Sequence, residues 1–391
     1  ALTNIAGEFF PVVQADFDNG PEGCSHAMSM TTALLWERFQ AGGAPIAMVS
    51  MDNCSHNGEK LRAGVMTVVE HWLDRGHITP EFAVWVANEN KVSFPWSMID
   101  KITPRPAKVV EDALTAAGIE DMAPIVTSKN TFIAPFVNAE RPQYLVVEDR
   151  FPNGRPPLEQ AGVYMSDRDT VNKTEKMKVT TCLNPLHTAL AVYGCLLGYD
   201  SIAAEMKDPQ LKALVEKIGY GEGIPVVVDP KILSPMDFIH EVIHQRLPNP
   251  FIPDMPQRIA TDTSQKVPIR FGETIKSYAA RPDLDVTGLT YIPLAIAGWL
   301  RYLLAVDDNG KPMECSSDPM LETLQKQLAG VKLGDPDSAS REALAPILSN
   351  MALFAEDLCR IGLADKISGM LREMLTGPGA VRSTLEQYLG R

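Results

Sequence analysis

Two stretches carry side chains whose types and spacing fit chemistry. In "FIHEVIHQRLPNP" (238–250), His240, Glu241 and His244 form the pattern His-Glu-x-x-His. Two histidines four apart lie on one helix face and can chelate zinc, with the intervening Glu as general base of a peptidase. At ~100° per residue, such a helix would bury Met236, Ile239, Ile243 and Leu247. The histidines would then fall on the flank and Glu241 nearly opposite. A third ligand is wanting. No histidine follows His244, the first downstream Glu is Glu273, and the proline-rich "LPNPFIPDMP" leaves only Asp254 and Asp262. The pair is expected to be flank histidines on a packed helix, with no metal site, and a zinc metallopeptidase is the remote alternative.

The second stretch is "KMKVTTCLNPLHTALAVYGCLLGYDS" (176–201). Asn184 before Pro185 reads as a helix N-cap, which puts Asn184 and His187 in the first turn of an apolar helix. Three residues apart, they share a face. Lys178 lies just upstream. A lysine beside an apolar helix can have its ammonium pKa lowered by desolvation and serve as acid or base near neutrality. An Asn amide and a His imidazole can hold a substrate oxygen as charge develops on it. The same three residues are equally a capping Asn, a core-edge His and a solvated Lys, so the pattern by itself leaves both readings open.

The elements that must position these groups change character along the chain. "HAMSMTTALLWERFQAGG" and "EKLRAGVMTVVEHWLDRG" have helical apolar spacing and closing glycines. "PIAMVSM" has strand length, "EFAVWVANENKVSF" reads as extended, and "QYLVVED" is a further strand. Helix, strand, polar loop and helix in succession predict a parallel sheet covered by helices, with ligands at the carboxyl ends of strands. "SMDN", directly after "PIAMV", takes such a position. Beyond about residue 175 helical periods dominate, several opening with Ser-Pro, Asn-Pro or Asp-Pro. The expected fold is α/β then mainly α: a partial Rossmann-like parallel-sheet domain over 1–172, then a helical domain over 173–391.

At 391 residues the chain is long for one core. Its net charge of −13 disfavours nucleic acid or an anionic membrane as partner. Six cysteines without a Cys-x-x-Cys pair suit reduced thiols. The start, "ALTNIAGEFF", lacks the pattern of a signal peptide, and "YIPLAIAGWLRYLLAV" carries Pro293 and Arg301 and reads as a buried helix. A soluble, cytoplasmic protein is expected, acting as monomer or homodimer.

In this order, "SMDNCSHNGEKLR", "SFPWSMIDKITPRP", "YLVVEDRFPNGRPPLEQAGV", "MKVTTCLNPLHTALAVYGCLLGY" and "PQRIATDTSQKVPIR" resemble the polyol-specific long-chain dehydrogenases. That family includes mannitol 2-dehydrogenase, fructuronate reductase (mannonate oxidoreductase) and tagaturonate reductase. The resemblance runs from about residue 7 to 310. It implies a metal-free, NAD-dependent interconversion of a secondary alcohol and a ketone on a sugar acid or polyol. D-mannonate/D-fructuronate comes first, because Lys178, Arg258 and Lys266 suit a carboxylate. Lys178 matches the family's catalytic lysine, Asn184 and His187 its oxygen-holding partners, and Asn53 its second polarising asparagine. Asp100, Arg258 and Lys266 match substrate-binding positions, and Ser50, Asp52 and Asn53 fall where cofactor would bind.

Two departures from the family pattern carry expectations. The family spacing is Lys-x4-Asn-x2-His, whereas this chain has Lys-x5-Asn-x2-His; a bulge ahead of the helix is expected to absorb the extra residue. The family's first strand, with its glycine-containing phosphate turn, has no counterpart, and "GYGEGIP" is no substitute because it does not follow a strand. The expectation is therefore a chain short of that segment, with a degenerate, non-catalytic remnant as the alternative.

Overall fold

The computed structural model describes residues 14–103, 106–128, 132–252 and 254–390. The chain forms two compact units. One takes residues up to Lys101, then Arg141–Glu175 and Pro230–Ile232; the other takes Ile102–Glu140, Lys176–Asp229 and Leu233–Arg391.

The first unit opens with α1 (Gln14–Asn19) and α2 (Ala27–Gln40), followed by β1 (Ile46–Ala47), α3 (Asn57–Asp74) and α4 (Pro80–Ala87). Strands β2 (Val92–Ser93) and β3 (Ser97–Asp100) complete this run. The expected extended segment "EFAVWVA" is instead helix α4. Pro80 at its first position presets the helical φ, and Phe82, Trp85 and Val86 then share one buried face while Val84 points to solvent. Aromatic width had masked helical spacing. Trp36, Phe39, Phe82 and Trp85 form one aromatic cluster with ring centroids 5.1–5.7 Å apart in successive contacts. Trp72 of α3 is fully buried and donates its indole N–H to the Asp16 carbonyl at 2.9 Å.

The chain then enters the second unit for α5 (Lys108–Ala116), β4 (Ile125–Val126) and β5 (Phe132–Ile133), and returns for β6 (Tyr144–Glu148) and β7 (Tyr164–Ser166). Pairing is parallel between β1 and β2 (Ile46 with Val92) and between β6 and β7 (Val146 with Tyr164). It is antiparallel between β3 and β6 (Ser97 with Val147), so the three-stranded sheet β3–β6–β7 is mixed, while β1 and β2 form a separate pair that is parallel as expected. The N-terminal unit is Rossmann-like and the C-terminal one helical.

Helix α6 (Arg168–Lys176) runs into a π-helical turn, Met177–Cys182, and then into α7 (Asn184–Leu197). After it come α8 (Ile202–Glu205), α9 (Pro209–Glu216), α10 (Pro235–Glu241), α11 (Pro256–Ile259), α12 (Thr263–Val267), α13 (Glu273–Ala280) and α14 (Tyr291–Tyr302). Further helices extend to Leu389. Three more π turns lie at Lys217–Gly223, Val242–Arg246 and Pro268–Gly272.

The core of this unit is α7 against α14, both buried almost all round. They approach closely because Gly298 has no side chain: a Cβ there would sit 2.6 Å from Tyr193 Cζ, whose hydroxyl donates to the Leu294 carbonyl at 2.7 Å. Caps follow the sequence in part. Ser234 and Asp208 accept from the first amides of α10 and α9. "GYGEG" is a π turn whose Glu222 carboxylate accepts the Thr290, Tyr291 and Ile292 amides, satisfying the open N-terminus of α14. Among the described residues no helix is long and apolar enough to cross a membrane.

Candidate active site

The second unit gathers most of the expected residues. Lys178 is buried, the second residue of the π turn. In such a turn each amide reaches back five residues rather than four, and Leu183 N–H donates to the Lys178 carbonyl at 3.0 Å. The stretch between Lys178 and Asn184 is thus the wider π turn, closed by Leu183, whose non-helical backbone separates it from α7. Asn184 was expected as N-cap; the cap position belongs to Leu183, and Asn184 is the first helical residue. The π turn delivers the chain already coiled, so no extended entry residue exists, and the Asn184 carboxamide holds no capping bond.

One turn on, His187 Nε2 lies 2.9 Å from Asp254 Oδ2, with both side chains largely enclosed. A carboxylate only accepts, so Nε2 carries the proton and Nδ1 presents a lone pair. Burial lowers the imidazole pKa, against the opposing pull of Asp254 and with help from Arg270 and Arg258; the ring is neutral at pH 7. Burial would raise Asp254, but the His187 hydrogen bond and Arg258 hold it below the usual carboxyl value. The Arg258 guanidinium donates to Asp254 Oδ1 through Nε at 3.0 Å and through Nη2. One carboxylate therefore bridges two of the residues assigned to catalysis and substrate.

Lys266 in α12 donates to the carbonyls of Ile259 (3.0 Å) and Thr261, and burial with neighbouring Arg270 lowers its pKa. Arg270, in the π turn Pro268–Gly272, donates to Thr188 Oγ1 at 2.5 Å. Glu205, at the end of α8, is fully buried where Gly194 leaves room: a Cβ at Gly194 would clash with its carboxyl group. Neither carboxyl oxygen has a hydrogen-bond partner among the described residues, and burial, with Asp208 and Asp254 nearby, pushes its pKa up to about 9.

The remaining expected residues belong to the first unit. Ser50, Asp52 and Asn53 lie in the loop at the carboxyl end of β1, with Ser50 buried and Asn53 exposed. The loop is pinned by Asn57, whose carboxamide donates to the Asp52 carbonyl (2.9 Å) and Ser97 Oγ (2.8 Å) and accepts from Ser97 N–H (3.0 Å). Asp100 ends β3 and is buried.

His240 and His244 are exposed, their rings 4.3 Å apart, with Tyr220 OH 3.4 Å from His240 Nδ1. Among the described residues no group of three His, Cys, Asp or Glu is arranged to hold a metal ion. The helix turns from α to π at Val242, so Phe238, Ile239, Val242, Ile243 and Leu247 pack inward while Met236, expected in the stripe, is half exposed.

Sequence reasoning missed Arg270 and Asn57, and weighed Asp254 only as a zinc ligand. For Arg270 a signal existed: four residues after Lys266, it shares a helical face with an expected site residue.

A family model for the mannitol dehydrogenase Rossmann domain matches residues 17–160, and one for the mannitol dehydrogenase C-terminal domain matches residues 170–374. D-mannonate oxidoreductase of Thermotoga maritima is 56% identical over the whole chain, which spans 72% of that protein. Polyol:NADP oxidoreductase of Gluconobacter oxydans is 32% identical over 84% of the chain and 61% of its own length. Mannitol 2-dehydrogenase of Pseudomonas fluorescens, solved as a ternary complex with NAD and D-mannitol, superposes with a TM-score of 0.67 at 25% identity, covering 97% of this chain and 69% of that one. A substrate-free D-sorbitol dehydrogenase gives 0.76, also at 25% identity, over 98% and 70%. The chain belongs to the mannitol dehydrogenase family.

Proposed function

We propose that this protein is an NAD-dependent oxidoreductase interconverting D-mannonate and its keto form, D-fructuronate. The observation that carries this reading is the 56% identity, along the full chain, to the Thermotoga maritima D-mannonate oxidoreductase. The pinned loop after β1, with a hydroxyl, a carboxylate and an exposed carboxamide at Ser50, Asp52 and Asn53, fits a ribose-bearing ligand, and those residues would hold NAD. Bound NAD supplies the hydride acceptor.

The rest falls to this chain's own side chains, without a metal. Lys178 takes the hydroxyl proton as the adjoining C–H gives up its hydride; in the reverse direction its ammonium returns that proton to the carbonyl oxygen. Asn184 donates amide N–H groups to that oxygen, stabilising charge as it forms, and Asn53 is read as the second polarising amide of the family pattern. His187, with its Nε2 proton on Asp254, offers Nδ1 as an acceptor that orients the substrate hydroxyl. Asp100, Arg258 and Lys266 serve substrate binding. The protein works as a monomer or homodimer in the cytoplasm, with a small sugar acid and no nucleic acid or membrane as partner.

The test is oxidation of D-mannonate with NAD, followed by the absorbance of NADH, in the wild type and in Lys178→Ala. Turnover by the wild type and a loss of about 10²–10⁴-fold in the variant are expected. No turnover of D-mannonate would remove the substrate assignment, and an undiminished rate in Lys178→Ala would remove the lysine.

A further inference from the structure

We infer that Arg270 is the residue that receives the carboxylate of a sugar-acid substrate, making it the determinant that favours sugar acids over neutral polyols. The inference deepens the activity proposed above and rests on it for the identity of the ligand.

The argument is one of charge balance around the start of α7. Arg258 and Arg270 stand near the neutral His187 ring, and Lys266 lies near both arginines. Two of these three cations are already answered. Arg258 pairs with the Asp254 carboxylate, and its side chain is 68% exposed to water besides. Lys266 is held by two backbone carbonyls. Arg270 differs. Among the described residues it has no carboxylate partner; its one acceptor is the neutral hydroxyl of Thr188.

A guanidinium has five donors in a planar fork, and a single hydroxyl engages one of them. Burial alone drives the Arg270 pKa down, to about 10, and no acidic neighbour opposes the shift. The group still keeps its proton at pH 7, so the unit holds a partly buried cation for which no carboxylate partner stands among the described residues. A charge withdrawn from water is ordinarily paired. A bidentate carboxylate is the geometry that the fork fits best.

Placement makes the missing anion a substrate group. Thr188, which fixes one arm of the fork, is buried and follows His187 directly in α7. The π turn carrying Arg270 packs against α7 and against the π turn carrying Lys178. A carboxylate bound at Arg270 therefore tethers one end of a short polyhydroxy chain beside the groups proposed to act on its carbinol. A neutral polyol has nothing of that charge to offer.

The experiment is calorimetric titration of D-mannonate and of D-mannitol into the wild type, Arg270→Gln and Arg270→Lys, with D-mannonate turnover measured alongside. Arg270→Gln should weaken D-mannonate binding by roughly 10- to 150-fold, the scale of a charge-assisted hydrogen bond, and leave D-mannitol binding within about twofold. Arg270→Lys, which keeps the charge and loses the fork, should fall between. Unchanged D-mannonate affinity in either folded variant overturns the assignment, as does an equal loss for D-mannitol. If Arg270→Gln fails to fold, the Lys variant carries the decision. Wild type that binds D-mannonate through Arg270 without oxidising it would sink the proposed activity and leave this site standing. Oxidation that survives with unaltered affinity in the variants would do the opposite. A wild type that does not bind D-mannonate overturns both.

Discussion

His187 and the pair His240–His244 lie on helices of the same unit, both drawn from short motifs, and the structure treats them in opposite ways. His187 is enclosed, faces a carboxylate at 2.9 Å and is held in one tautomer. His240 and His244 are exposed and tilted against each other, with a tyrosine hydroxyl as the neighbour of one ring. A motif fixes which side chains share a face; what that face meets decides the chemistry. Asp254 makes the point directly. It was the nearest candidate for a third zinc ligand, yet it faces His187 and joins it to Arg258.

The contrast breaks first at Asp254. Asp254→Asn removes the acceptor that fixes the proton on Nε2, and turnover of D-mannonate should fall by about ten- to a hundredfold, the usual scale for a residue that orients a functional histidine. Because Asp254 raises the His187 pKa, its loss lowers that pKa further. The acid limb of the pH–rate profile should move to lower pH. Nitrogen-15 NMR of the histidine rings should report loss of the single Nε2–H tautomer; an unchanged tautomer would show that Asp254 positions nothing.

Glu205 gives a smaller effect, read in stability. Its native pKa of about 9 stands above the ordinary 4.5, so the folded chain keeps a proton that the unfolded chain releases. Stability contributed by this group is full below the ordinary carboxyl value and declines as pH rises to about 9, by up to ~1.4 kcal/mol per pH unit. Glu205→Gln should flatten the decline of denaturation midpoint between pH 5 and 9. A variant that tracks the wild type across that range would mean the carboxyl is already ionised.

At the small end, His240→Ala and His244→Ala should change turnover by less than about twofold, as exposed substitutions do. One zinc bound per chain and lost in either variant would reverse the comparison between the two motifs.

Much of this was legible before the coordinates, and the failures are instructive. While the roles of Lys178, Asn184 and His187 came only from the family resemblance, the change from α/β to helical character follows from period, and the placing of Asn184 and His187 in the first turn of α7 follows from spacing. Position along a π turn does not, because a fifth residue per hydrogen-bonded loop leaves no compositional mark. The cap assigned to Asn184 and the stripe through Met236 both slipped at or beside such turns. "EFAVWVA" slipped for another reason: aromatic and β-branched residues favour strands, yet Pro80 and the burial of Phe82, Trp85 and Val86 decided for helix. Arg270 offered one clue, its place four residues after Lys266, but the lack of a carboxylate partner among the described residues appears only in three dimensions.

The ends of the segment 102–140 meet. Ile102 N–H donates to Glu140 Oε1 at 2.7 Å, Glu140 N–H donates to the Ile102 carbonyl at 3.1 Å, and the buried Arg246 guanidinium grips both Glu140 oxygens at 2.8 and 2.9 Å. The segment is therefore a drawstring loop, knotted at its neck. Closing a longer loop costs only about 0.6 kcal/mol for each doubling of length, so evolution can lengthen or trim what hangs from the knot without disturbing the helices beneath. Untying the knot is another matter, because the buried Arg246 guanidinium would lose the carboxylate that answers its charge.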